Sequence, residues 1–207
     1  MRARKGLAAI LIAATCCASN LAQAADHLTP CKDTLSDYYT RVETLMSQAA
    51  PGEALWKVTV FPTRRQAEWS VRATRLDDGY ALTVVRFDRS LWDASWSASP
   101  DNHFHRDTST AKAEPHAITR KISPRLFTEL EAQIRQAVET ARPNENTLDD
   151  IVVDSPEFRF ETPGPRCAHT FSFDEGTRVD KLVGIVLQLC NLPAESKLLR
   201  MLKDLER

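Results

Sequence analysis

The sequence predicts an α+β fold: one antiparallel sheet, built from a three-stranded meander and a second hairpin, packed by three to four helices. Three observations predict it. Runs with apolar residues at spacing two are joined by tight turn signals, and strands joined that way must be antiparallel. Stretches with apolar residues every three or four positions lie before, between and after these runs instead of alternating with each strand. Helices segregated from hairpins pack as an α+β layer, not as a parallel α/β fold.

The first helix is expected from Thr29 and Pro30, which are residue types suited to an N-cap and a first helical position. Leu35, Tyr38, Val42, Leu45 and Ala49 then recur at steps of three and four, until Pro51 and Gly52 stop the pattern. Trp56, Val58 and Val60 alternate, Pro62 to Arg65 turn the chain, and Ala67, Trp69, Val71 and Ala73 alternate on the way back. Asp78 and Gly79 then lead into Tyr80, Leu82 and Val84, so residues 54–88 read as a meander with Trp56 and Trp69 facing the core.

From Ser90 to Pro115 the chain reads as a short strand end, carrying Trp92 and Trp96, followed by a long polar loop. A strand resumes over His116 to Ile122. Ser123 and Pro124 open a second helix, whose stripe is Leu126, Leu130, Ile134, Ala137 and Ala141, with Pro143 past its end. Asn144 to Asp150 is a polar connector, and Ile151 to Val153 are expected to touch the sheet briefly. Phe158 and Phe160, then His169, Phe171 and Phe173, alternate on either side of Pro163, Gly164 and Pro165, which makes a second hairpin. Val179, Leu182, Val183, Val186 and Cys190 define a third helix, and Leu198, Leu202 and Leu205 a last short one.

Residues 1–24 have the pattern of a secretory signal peptide. Arg2, Arg4 and Lys5 precede the apolar run Leu7 to Ala14, and Ala22 and Ala24 flank Gln23 as a cleavage site would require. The run is about half the length of a membrane span, and neither Cys16 nor Cys17 follows the small residue that lipidation needs. Residues 25–207 are therefore expected to form a single α+β domain, periplasmic or secreted. Signal removal takes three basic residues and no acidic one, moving the formal charge from −1 to −4. An acidic balance disfavours nucleic acid as a partner, because binding it needs clustered positive charge.

Export to an oxidising compartment favours a disulfide among Cys31, Cys167 and Cys190. The sequence leaves three pairings open. Cys167 with Cys190 closes the shortest loop and is the expected one, tying a late strand to the helix after it. No general base stands beside any of the three, so a catalytic thiol is not expected.

The polar loop holds the one string with metal-ligand spacing: His103, Phe104, His105, Arg106 and Asp107 spell H-x-H-x-D. In extended backbone, residues two apart point the same way, so both imidazoles and the carboxylate could converge on zinc, with His116 as a fourth ligand. Over these five residues the string resembles the opening of the metallo-β-lactamase motif, which implies a zinc-dependent hydrolase. The chain departs from that family at Thr108, where another histidine is needed, and its strands and helices do not alternate as that αββα fold requires.

Other signatures are absent from the sequence. There is no G-x-S-x-G around a serine, and Ser95 reads as a surface residue. There is no glycine-rich phosphate loop. The pairs Asp77, Asp78 and Asp149, Asp150 are adjacent, which sends them to opposite faces of an extended chain. No cofactor is implied. The sequence thus favours a non-catalytic exported protein that binds another envelope macromolecule, of inhibitor or immunity type, through Trp92, Trp96, His103 and His105. The alternatives are the zinc hydrolase and a carrier of a small apolar ligand held between sheet and helix.

Overall fold

The computed structural model describes residues 26–31, 36–63, 66–98, 104–143, 155–164, 166–171 and 175–206, with the side chains of residues 97, 98 and 104–106 outside that description. The expected signal peptide, residues 1–24, and the brief sheet contact of Ile151 to Val153 lie outside the described residues. The elements are β1 (Thr29–Pro30), α1 (Asp37–Ala49), β2 (Trp56–Phe61), β3 (Trp69–Leu76), β4 (Gly79–Phe87), α2 (Leu91–Ala94), β5 (Trp96–Ala98), β6 (Phe104–Arg106), β7 (Pro115–Ile122), α3 (Pro124–Glu139), β8 (Glu157–Thr162), β9 (Arg166–Thr170), α4 (Arg178–Leu189) and α5 (Glu195–Leu205). Seven strands form one antiparallel sheet in the order β1-β9-β8-β2-β3-β4-β7, and β5 and β6 form a separate two-stranded ribbon. The fold is α+β.

Alternation along the strands sorts side chains onto two faces. On one face Trp56, Val58 and Val60 of β2 lie beside Trp69, Val71 and Ala73 of β3, Leu82 and Val84 of β4, and Phe158 and Phe160 of β8. The apolar stripes of α3, α4 and α5 cover this face and complete the larger core. Trp56 and Trp69 both face it, as expected. On the other face α1, α2 and Ala111 and Ala113 of the loop before β7 cover Phe61, Val85 and Phe87 in a smaller core. Both faces of the sheet therefore carry helices.

Local signals set several boundaries. Ser123 Oγ accepts from the Leu126 amide and Pro124 occupies the first turn of α3, while Ser123 also donates to the Glu195 carboxylate at 2.6 Å, which ties α3 to α5. The β3–β4 turn is Asp77 and Asp78, and Gly79 opens β4 with φ of 146°, a conformation that a Cβ would disfavour. Arg72, buried on the second face, donates to the carbonyls of Ala50 and Gly52 and so satisfies the backbone just past α1.

Four expectations change. Thr29 and Pro30 are not a helix start: they pair with His169 and Ala168 as the edge strand β1, and α1 begins at Asp37. Two residues of helix propensity are outweighed by tertiary anchoring, since Leu28 is in the core and the Cys31 amide donates to the Cys167 carbonyl at 3.0 Å. The buried face of α1 is Tyr38, Val42 and Met46, with Leu45 only half-buried. The polar stretch after β4 contains the single-turn helix α2 and the β5–β6 ribbon instead of a plain loop.

The disulfide is the fourth. Cys31 bonds to Cys167, with Cα atoms 5.3 Å apart, and Cys190 is free. The expected Cys167–Cys190 pair fails because shortness of loop is no measure of proximity. Cys167 is on the face opposite its neighbour Ala168, which packs in the larger core, whereas Cys190 ends α4 beside that core. Closing a loop with a sequence separation of 136 restrains the unfolded chain by about 5 kcal/mol in the chain-entropy picture.

Candidate functional site

The expected binding residues Trp92 and Trp96 meet at one corner of the smaller core. Glu68, which is 1% exposed, precedes β3 and places its carboxylate at the start of α2. It accepts from the amides of Leu91 at 2.8 Å and Trp92 at 3.0 Å, and from the hydroxyl of Tyr38 at 2.5 Å. A carboxylate there satisfies amides that the helix leaves unpaired. Ser90 adds the side-chain cap, accepting from Asp93. Trp92 is thereby fixed, with its ring at right angles to Tyr38 and centroids 5.1 Å apart.

Trp96 opens β5 and lies edge-on to Trp92, with centroids 6.3 Å apart, yet keeps 45% of its surface exposed. The ribbon that carries it is closed at its base. Ser95, expected at the surface, is instead buried: its hydroxyl donates to the Trp92 carbonyl, and its own carbonyl accepts from the Asp107 amide at 2.7 Å. The next turn is held by Asp107, whose Oδ1 accepts from the amide and hydroxyl of Ser109; these bonds hold its carboxyl below the usual range. The exposed tryptophan thus stands beside a base held by these hydrogen bonds.

The proposed metal ligands are placed less fully. His103 lies outside the described residues. The backbone of His105 pairs with Ser97 in the ribbon, while His116 is exposed on β7 opposite Arg86 of the main sheet. Among the described residues no three His, Cys, Asp or Glu side chains converge as ligands. A groove of roughly 500 Å³ runs along α1, lined by Thr40, Glu43, Thr44, Ser47 and Gln48, which is a polar set of side chains.

A second polar centre, which sequence reasoning missed, lies between α1 and strands β2, β8 and β9. Lys57 pairs with Glu43 of α1 and, at 3.1 Å, with Glu161 of β8; Glu43 also accepts from Thr59 at 2.8 Å. Tyr39 donates to Glu157 at 2.6 Å, and His169 Nδ1 stands 3.6 Å from the other oxygen of that carboxylate. Burial pushes the Glu157 carboxyl above its ordinary range, against the opposing pull of the Tyr39 bond and the Arg159 charge. Glu161 is raised too, by loss of solvent and by the Glu43 carboxylate. Arg159 sends its Nε–H to Cys167 Sγ at 3.1 Å, with Glu161 farther away at 3.8 Å.

The signal for this centre was in the strands. Lys57 and Thr59 alternate with the apolar residues of β2, and Glu157, Arg159 and Glu161 with the phenylalanines of β8, so opposite charges face each other once β2 and β8 pair. That pairing joins residues about a hundred positions apart and has no local signature. Among the described residues no helix is long and apolar enough to cross a membrane. Comparison with known protein families, with curated proteins and with solved structures finds no match to the chain.

Proposed function

We propose that this chain is exported and acts by contact, binding another macromolecule of the cell envelope as an inhibitor or immunity-type partner does, with the Trp96 corner as its contact. The observation that carries the reading is the exposure of Trp96 beside the partly buried Trp92. Tryptophans that anchor interfaces are large, fixed before binding and ringed by other groups that exclude water. Trp96 is large and its ring packs edge-on against Trp92, which Tyr38 and Glu68 hold in turn. The secretory pattern of residues 1–24 and the Cys31–Cys167 bond both suit an oxidising location outside the cytoplasm.

The test is affinity capture from envelope extract with residues 25–207, comparing wild type with Trp96→Ala and His103→Ala. A partner retained by wild type and lost by Trp96→Ala, at unchanged melting temperature, supports the reading. Capture that Trp96→Ala leaves intact, or no retained partner at all, overturns it.

A further inference from the structure

Arg159 makes a choice that packing alone does not explain. Its side chain is only 10% exposed, and carboxylates lie nearby on β8, yet its Nε–H points at the Cys167 sulfur at 3.1 Å. A disulfide sulfur is a weak acceptor, and a thiolate is a strong one. A guanidinium at this distance favours a Cys167 thiolate over a disulfide sulfur, with Glu161, 3.8 Å from the same Nε, acting in the opposite direction. Among the described residues no guanidinium or ammonium is bonded to Cys31, and both cysteines are partly accessible.

We propose that the Cys31–Cys167 disulfide is a polarised thiol-exchange site, modified at Cys31 by a dithiol reductant of the envelope, with Cys167 as the leaving thiolate. The incoming thiolate forms a bond to Cys31 Sγ, the Cys31–Cys167 bond breaks, and its electron pair departs on Cys167 beside Arg159. The second thiol of the reductant then attacks its own sulfur, closing the reductant's disulfide and releasing Cys31 as a thiol. The protein disulfide is reduced to two thiols and the dithiol is oxidised by the same two electrons. A leaving thiol of low pKa departs faster, and a neighbouring cation lowers that pKa.

The other ionisable groups around Cys167 are Glu161, its cross-strand partner, and Glu157 on β8, His169 on β9, Lys57 on β2, and Glu43 and Tyr39 on α1. Among the described residues Arg159 is the one hydrogen-bonded to the sulfur. After reduction Cys31 stays close, because Leu28 is buried in the larger core and its carbonyl accepts from the Arg142 amide at 2.9 Å. The exchange is thus reversible: the Cys31 thiolate attacks the oxidised dithiol's disulfide to restore the mixed disulfide, and Cys167 then attacks Cys31 Sγ and expels the reductant's thiolate.

The experiment uses residues 25–207 carrying Cys190→Ala, so that only two cysteines remain. Brief exposure to glutathione, acid quenching and peptide mapping should place the mixed disulfide on Cys31; an adduct on Cys167 overturns the proposal. Reduction by dithiothreitol near neutral pH should slow several-fold in Arg159→Gln and recover in part in Arg159→Lys. Rates equal in all three proteins also overturn it. In a reduced protein with Cys31→Ser, alkylation against pH should place the Cys167 thiol below the ordinary value of about 8.5. Arg159→Gln should raise it by about one unit. The inference does not rest on the Trp96 reading, and neither test affects the other.

Discussion

Tyr38 donates its hydroxyl to Glu68 at 2.5 Å, across the gap between the first helix and the strand whose carboxylate also holds α2. One buried acid thus joins three elements that are otherwise far apart in sequence, and Trp92 is positioned by the result.

Glu68→Ala removes a shared acceptor from three donors in a largely buried corner. Each unsatisfied buried donor costs roughly 1–3 kcal/mol, and partial relaxation brings the expected total to about 3 kcal/mol. Urea unfolding at neutral pH measures it. Tyr38→Phe removes one donor and leaves the acceptor satisfied twice, so its cost should stay near 1 kcal/mol. Equal losses for the two variants would contradict this account.

Trp92 and Trp96 are separable by stability. Trp92→Ala empties the space against Tyr38 and should cost about 2 kcal/mol, less than a fully buried aromatic. Trp96→Ala removes a ring that is 45% exposed and should stay within roughly 0.5 kcal/mol of wild type. Thermal unfolding of both variants checks the difference, which must hold before any loss of binding by Trp96→Ala counts as loss of contact.

How much of this was legible in the sequence follows from the distance over which each feature is decided. The cap of α3 by Ser123 and Pro124 is settled by neighbouring residues and read correctly, whereas the β3–β4 turn falls at Asp77 and Asp78, one residue before the expected Asp78 and Gly79. The strand identity of Thr29 and Pro30 is settled by His169 and Ala168, over a hundred residues away, and local propensity pointed elsewhere. Trp92 and Trp96 stand out by composition, and the structure brings the two rings together. Glu68, Glu157 and Arg159 are ordinary charged residues in sequence, and only the pairing of distant strands makes them interior.

Cys31 and Cys167 provide a direct check of topology. Non-reducing peptide mapping should find these two linked and Cys190 free to react with iodoacetamide. Cys31→Ser should lower stability by about 2–5 kcal/mol, whereas Cys190→Ser should change it little. A Cys167–Cys190 link in the native protein would break the pairing of β1 with β9 described above.

The acid dependence of stability should carry the mark of Glu157. Its carboxyl is raised above the ordinary value of 4.5 in the folded chain because burial disfavours the charge. The folded state therefore binds this proton more readily than the unfolded state, and the slope of stability with pH is negative over the interval between the two values. The contribution is fully present below the unfolded value and is lost as pH rises through the folded one. Glu161 is shifted in the same direction. Asp78, Asp88 and Asp107 are lowered instead, so their contributions disappear only in stronger acid. Stability should consequently increase as pH is lowered through the folded-state value toward 4.5. Glu157→Gln keeps an acceptor for Tyr39 and removes the titration, so it should flatten that rise. Urea midpoints across this range decide it, and a slope unchanged in Glu157→Gln would show that the buried carboxylate is not its source.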